Sequence, residues 1–247
     1  GRACVDECVR QLILTGANPD KLAVLDNYCM GNPHDPRELG ALVESARGLA
    51  EAAVVYGTPF ISGKDSFYNY FNTEDGPVSI PVTALISGLG IVEDAAHVTG
   101  SSLRRSDSVL FLIGAGSSSL GGSVYARTEG LTNQPVPQFD PAAALAVYRA
   151  YYACVTAGHI LSAHDISEGG LAVTLAEMAF SGKAGLDIAL DGTTPVPVAL
   201  FNETPGQFVI EVSPAHAASV QAAFAGLPIA ELGRATAAHA SLRISRN

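Results

Sequence analysis

The run His164-Asp165-Ile166-Ser167-Glu168-Gly169-Gly170 gathers two acids, a hydroxyl and two glycines just before the mostly apolar stretch Leu171 to Phe180. Its chemistry points to an anionic ligand. Glycines let backbone N–H groups approach a ligand with no Cβ in the way. The start of the helix predicted after them offers unsatisfied donors that favour negative charge. Asp165 is placed to hold a divalent cation rather than the phosphate itself. An ordinary helix N-cap by Ser167 or Asp165 accounts for the same residues.

A second polar cluster is Ser62-Gly63-Lys64-Asp65-Ser66. Gly57 and the Gly63-Lys64 pair approach a P-loop. The spacing is one residue too long, and Asp65 stands where a magnesium-ligating Ser or Thr is required, so a P-loop is rejected. Lys64 still suits phosphate neutralisation, Ser66 a hydrogen bond to phosphate, and Asp65 a ligand contact or a cap on Lys64. A plain polar turn is the competing reading. Gly114 to Ser123 reads as a phosphate loop or as a plain flexible one. Glu203, in Asn202-Glu203-Thr204-Pro205-Gly206, reads first as a turn residue and second as a metal or hydroxyl ligand. His34, His97, His159, His216 and His239 are scattered and read as surface or capping residues. No Ser/His/Asp triad or His-x-x-x-His pattern is present.

These clusters need elements to position them. Residues 2–14 read as a helix with Val5, Cys8, Val9, Leu12 and Ile13 on one face. A short buried strand over 22–25 delivers Asp26-Asn27 at its end. A long helix over 36–56 points Leu39, Leu42, Val43, Ala46, Leu49, Ala50 and Val54 inward. Phe60-Ile61 is a short strand leading into the lysine cluster. Residues 68–76 form a polar, aromatic excursion, and 79–92 a long apolar strand with a bulge at its glycines. Further strands are read at 109–113, 160–163, 186–190, 207–212 and 229–232, with helices at 141–158 and 214–225. This alternation with long β runs gives an α/β (α+β) chain of two domains, 1–100 and 101–247.

Composition sets the outer bounds. The chain has 247 residues, nearly half of them hydrophobic, enough for a substantial core. Its formal net charge of −10 argues against a nucleic-acid surface, so a phosphate must be held locally. No apolar run reaches the ~18 residues of a membrane span, and no signal peptide is visible. The four cysteines form no disulfide or zinc pattern and read as small buried hydrophobes in a reducing cytoplasm.

Taken together, five stretches in order carry a resemblance. They are Leu25-Asp26-Asn27-Tyr28-Cys29 with Gly31-Asn32-Pro33, Ser62 to Asn69, Leu120-Gly121-Gly122-Ser123, His164 to Leu171, and Glu203-Thr204-Pro205-Gly206. The chain resembles, over nearly its whole length, the C-terminal half of the synthetase component of phosphoribosylformylglycinamidine synthase. That family lies within the aminoimidazole ribonucleotide synthetase superfamily. The resemblance implies a ferredoxin-like α/β domain, incomplete at its N-terminus, followed by a second α/β domain. It implies an ATP-dependent ligase of purine biosynthesis that uses ATP and Mg²⁺. Formylglycinamide ribonucleotide is the substrate, its amide oxygen is activated by phosphorylation, and ammonia comes from a glutaminase subunit or domain.

Site roles carried over from that family fall in two groups. Asp26, Gly63 and Lys64 match ATP-binding positions and Ser66 a substrate-binding position. Lys64 stands where short-chain members have a magnesium-binding asparagine, and a charged lysine cannot ligate a metal, so phosphate contact suits it better. Glu7, Gln11 and Asp165 match the metal ligands of an auxiliary nucleotide site, with Ser167 at a nucleotide-binding position. The i, i+4 spacing puts Glu7 and Gln11 on one helix face, as a shared ion requires. Gln11 replaces the usual asparagine. The family's catalytic histidine lies in a segment that nothing here matches, so the chain alone is expected to be inactive without a missing N-terminal half. Two other readings compete. One is a different ATP-dependent member of the superfamily, such as selenophosphate synthetase, thiamine monophosphate kinase or the hydrogenase maturation factor. The other is a structural half stapled by a permanently bound nucleotide.

Overall fold

The computed structural model describes residues 1–182, 184–237 and 241–246. The chain opens with α1 (Arg2–Leu14), β1 (Leu22–Cys29), α2 (Pro36–Tyr56), β2 (Phe60–Ser66), β3 (Tyr70–Thr73), β4 (Gly76–Ser79) and β5 (Thr83–Gly90). It continues with β6 (Val109–Ile113), α3 (Val124–Thr128), α4 (Pro141–Thr156), β7 (Ile160–Asp165), α5 (Gly170–Gly182) and β8 (Gly185–Leu190). It ends with α6 (Val196–Phe201), β9 (Phe208–Val212), α7 (Ala217–Ala223), β10 (Ile229–Thr236) and β11 (Leu242–Arg246).

The first sheet has the order β2-β1-β5, with β1 parallel to β2 and antiparallel to β5. β1 is longer than the sequence suggests. Its first apolar run stops at Leu25, but partners on both sides keep the strand going through Asp26 and Asn27 to Cys29. In the same way β2 extends from Phe60 through the whole lysine cluster to Ser66. The expected single strand over 79–92 is broken around Pro81, which has no N–H to give a ladder. Beyond it β5 pairs with β1 in unbroken register, so the bulge expected at its glycines is absent. The excursion at 68–76 is a β-hairpin of β3 and β4.

Local signals fix α2. Asp35 caps it by accepting from the Arg37 N–H at 2.8 Å, Pro36 opens it, and Gly57 closes it at φ 66°. Its inward face differs from the one expected. Leu49, Ala52, Ala53 and Tyr56 are buried, whereas Leu39, Val43 and Val54 are exposed, Val54 at 81%. Apolar residues lie on both faces of this helix, so their spacing alone does not choose the buried one.

The second sheet has the order β11-β8-β10-β6-β9-β7, antiparallel except for the β8–β11 pair. Strand alternation splits its side chains between two cores. Phe111, Phe208 and Ile210 join Tyr148 and Tyr151 of α4, Val5, Val9 and Ile13 of α1, and Tyr56 of α2. Leu110 and Val209 face the other way, onto Leu175 and Met178 of α5. The first core joins the helices of the first sheet to α4 of the second. Short α3 and α6 and the edge strand β11 went unread in the sequence because each is too short or too polar to show a period.

Glu211 of β9 is fully buried. It accepts from the backbone N–H groups of Arg104 (2.9 Å) and Arg105 (3.0 Å) and from the hydroxyls of Ser108 and Ser162, both at 2.7 Å. The connector between the sheets is thereby tied to β7 and β9. The four cysteines are free thiols, but only Cys154 is buried; Cys4, Cys8 and Cys29 are half-buried. The rings of His159 and His216 pack 4.5 Å apart, His34 is exposed, and His239 lies outside the described residues.

Candidate functional site

The first group assembles on neighbouring strands. Asp26 pairs with Gly63 and Asn27 with Lys64 across the β1–β2 ladder. The absent side chain at Gly63 leaves room for the Asp26 carboxylate: a Cβ there would lie 2.3 Å from Asp26 Oδ1. The Lys64 ammonium donates to the Ser66 hydroxyl. Alternation separates the two pairs. Asp26 shares its side of the sheet with Val24 and Tyr28, and the Tyr28 hydroxyl reaches Ser45 of α2 at 3.0 Å. Lys64 and Ser66 lie on the opposite side with Asn27 and Leu85, and Leu85 is exposed. The aspartate therefore faces the helices, and the lysine and serine face outward.

The second group is drawn together by the contact of α1 with β7. Gln11 and Asp165 line one cavity of about 410 Å³ with Thr15, Thr99 and His164. Glu7 and Gln11 line another of about 500 Å³, against β5. Ser167 follows β7 in the turn into α5, where its carbonyl accepts from the Gly170 N–H at 3.0 Å. No first-turn N–H of α5 donates to the side chain of Ser167 or Asp165 among the described residues, so neither acts as the cap. Instead the Glu203 carboxylate accepts from the N–H groups of Gly169 and Val124, each at 2.9 Å, and ties the starts of α5 and α3 together. Gly170 itself sits at φ 67° against the backbone of Leu200 and Phe201.

Behind this group lies a buried ionic hub that sequence reasoning missed. Asp6 is fully buried. It pairs with Arg10 one helical turn on, and accepts from the hydroxyls of Tyr56 and Tyr148 (2.6 Å each) and from the Gly206 N–H (2.9 Å). The other end of the Arg10 guanidinium stands 3.7 Å from Asp165 Oδ2 and reaches the Ile166 carbonyl at 3.4 Å. A charged pair at i, i+4 inside a helix that otherwise looks amphipathic was the available signal.

Electrostatics follow this layout. Burial raises the Glu7 pKa; Arg10 opposes the rise, while Asp165, Asp6 and Glu168 add to it. Burial works against the Arg10 charge, but Asp6, Tyr148 and Asp165 overcome it and hold the guanidinium protonated. Asp165 is the reverse case. Burial favours its neutral form, yet the hydrogen bond from His164 and the charge of Arg10 lower its pKa. His164 is raised by its hydrogen bond to Asp165 against the effect of burial.

These residues suit a hard cation in donor chemistry. Two carboxylates and an amide offer oxygen ligands of the kind Mg²⁺ takes. Asp165 Oδ2 is buried and makes no hydrogen bond, its nearest counter-charge being the Arg10 guanidinium at 3.7 Å. The set is sparse, since no three His, Cys, Asp or Glu side chains converge on one point among the described residues.

The chain matches two family descriptions. Residues 1–92 match AIR synthase related protein, N-terminal domain, and residues 106–244 match AIR synthase related protein, C-terminal domain. Curated relatives include the phosphoribosylformylglycinamidine synthase subunit PurL of Deinococcus radiodurans, 36% identical over 239 residues, covering 94% of this chain and 32% of that protein. The PurL subunit of Acidiphilium cryptum is 37% identical over 242 residues, covering 97% and 32%. The chain spans about a third of the length of such relatives. Among solved structures, Thermotoga maritima PurL complexed with FGAR superposes with a TM-score of 0.70 at 16% identity, covering 98% of this chain and 40% of that one. Escherichia coli HypE, a hydrogenase maturation protein, gives 0.74 at 15% identity, covering 99% and 76%. At those identities the likeness is one of fold. Among the described residues no helix is long and apolar enough to cross a membrane.

Proposed function

The chain belongs to the AIR synthase related family, and from that premise we propose that it is part of the ATP-dependent ligase that converts formylglycinamide ribonucleotide to formylglycinamidine ribonucleotide. The observation that carries this reading is identity of 35–37% across most of the chain to curated proteins named for that activity. The likeness to HypE is as good in shape but rests on 14–16% identity, so it argues for fold and not for chemistry. Residues 1–100 and 101–247 act as two domains in this reading. The remaining segments of the synthetase and a glutaminase that supplies ammonia are its partners, and the cytoplasm is its compartment.

The residues divide the work. Asp26 and Gly63 hold the nucleotide at the first site, where Gly63 contributes close backbone approach. Lys64 sets a positive charge on the open side of the sheet, and Ser66 beside it offers a hydroxyl; together they orient anionic substrate groups. At the second site Glu7, Gln11 and Asp165 would hold the metal and Ser167 the nucleotide. Mg²⁺ bound there would neutralise phosphate charge. Arg10 holds Asp165 ionised and aligned. Phosphoryl transfer asks mainly for this kind of positioning.

The test uses the 247-residue chain co-expressed with the remaining segments of a curated relative. The assembled complex should release ADP only when formylglycinamide ribonucleotide, ATP and ammonia are all present, and Asp26→Asn should abolish that release. The chain alone should release none. An assembled complex that fails to couple ADP release to the substrate, or turnover by the isolated chain, refutes this assignment.

A further inference from the structure

The segment from Phe201 to Gly206 is gripped along its length. The Phe201 ring stacks on Tyr125 of α3, with centroids 4.9 Å apart. Asn202 and Thr204 are buried, at 7% and 1% exposure. The Asn202 side chain donates to the carbonyls of Ser117 and Ser119 and accepts from the Thr204 N–H at 2.9 Å. The Thr204 hydroxyl accepts from the Ser117 N–H at 3.1 Å. Glu203 stands between these two anchors, so its backbone is held from both sides. Its Oε1 alone accepts both the Gly169 and the Val124 N–H. Its Oε2 takes no hydrogen bond among the described residues.

The bond to Gly169 bears on Ser167. The two residues share a turn, closed by the Gly170 N–H on the Ser167 carbonyl at 3.0 Å. Gly169 sits at φ 86°, and a Cβ there would stand 2.3 Å from Val173 Cγ2, so only bare backbone fits at this point. Glu203 is the one side chain that hydrogen-bonds to residues 167–170 among the described residues.

The same segment also reaches the acidic side of the second site. The Gly206 N–H donates to Asp6 at 2.9 Å. Asp6 pairs with Arg10, whose other end stands 3.7 Å from Asp165. Ser167 and Asp165 are thus tied back to one rigid support, the first through Glu203 and the second through Gly206. A ligand touched at both points needs that interval fixed.

We propose that Glu203 is a positioning residue for the second nucleotide site: by holding the Gly169 N–H it sets Ser167 at a fixed interval from Asp165, and it touches no ligand itself. The place of one oxygen does this and not the charge, because a side-chain amide can present an oxygen to the same two donors. The role rests on the nucleotide site proposed above.

Two measurements on the intact chain test it: equilibrium dialysis of labelled ADP with Mg²⁺, and hydrogen exchange of residues 166–171 without nucleotide. The unaltered chain should bind ADP saturably, and Asp165→Asn should lose that binding. Glu203→Ala should bind ADP about 10-fold or more weakly. Exchange at 166–171 should quicken about 10-fold in that variant. Glu203→Gln should bring both readouts back to within about 3-fold of the unaltered chain. A merely structural tie would lower the melting midpoint of Glu203→Ala and leave ADP affinity intact wherever the chain is folded. Should Glu203→Ala fail to fold, Glu203→Asp, one methylene too short to reach both donors, carries the same expectation. The proposal is overturned if Glu203→Ala binds ADP as tightly as the unaltered chain while Asp165→Asn does not, or if Glu203→Gln is as weak as Glu203→Ala. ADP binding that is absent from the unaltered chain, or indifferent to Asp165→Asn, refutes the second site itself and takes the role of Glu203 with it.

Discussion

Replacing Asp6 with asparagine should be the most damaging conservative change in this protein. The substitution keeps the side-chain shape and removes its charge. Arg10, itself 2% exposed, then has no counter-charge nearer than Asp165 at 3.7 Å. Breaking one side of a buried pair in this way costs about 3–5 kcal/mol. The hydroxyls of Tyr56 and Tyr148 both donate to Asp6 Oδ1 at 2.6 Å. Each is a hydrogen bond to a charged acceptor, worth about 1.5–3 kcal/mol. Against a total stability of roughly 5–15 kcal/mol, the Asp6 change alone removes a large fraction. Urea unfolding followed by far-ultraviolet circular dichroism measures it. Tyr56→Phe and Tyr148→Phe, singly and together, complete a cycle in which sharing one oxygen should give a coupling of at least about 0.5 kcal/mol. A loss below about 1 kcal/mol for Asp6→Asn, or strict additivity of the two tyrosines, would show that the hub does not hold α1 to α4.

Gly63→Ala should weaken ATP binding by the assembled complex with little change in melting midpoint, because the new Cβ displaces a carboxylate rather than a core atom; equal losses of both would contradict this. Gly170→Ala meets the backbone of Leu200 and Phe201 at 2.7 Å and a φ of 67°, and should cost about 2–4 kcal/mol in urea unfolding. The His164 pKa is raised by Asp165, so its stabilisation is full below the unfolded value of about 6.5 and is lost as pH rises through the higher folded value. His164→Gln should flatten that decline in melting midpoint across the same window. On α2, Val54→Lys should change stability by no more than about 0.5 kcal/mol, whereas Leu49→Ala should cost about 2–5 kcal/mol.

Much of this architecture was legible in the residues. Pro36 and the breaker at Gly57 marked the ends of α2, and five apolar residues in a row marked β6. What failed were features set by partners in space. β1 continues through Asp26 and Asn27 because two neighbouring strands supply their hydrogen bonds, which no local propensity reports. The buried face of α2 is chosen by α1 and α4 from two comparable apolar faces. At the candidate site, the helical spacing of Glu7 and Gln11 could be read directly, and α1 against β7 brings Gln11 to Asp165, while Glu7 faces the neighbouring cavity. Arg10 and Asp6 escaped notice because a charged pair on a helix is ordinarily solvated, and only the tyrosines of α2 and α4 reveal that it is buried. Lys64 and Asp26 looked like members of one cluster until the pleat sent them to opposite sides.

The carboxylate of Glu211 bears on how the two halves can move. Two backbone amides of the connector and two hydroxyls converge on one acid locked into the middle of a sheet. The far end of the stretch that joins the halves is thus pinned to the second sheet, from Arg104 onward. Lengthening the chain by a single residue between Arg105 and Ser108 would pull this joint out of its socket, and length there should prove far less negotiable than in the β3–β4 hairpin.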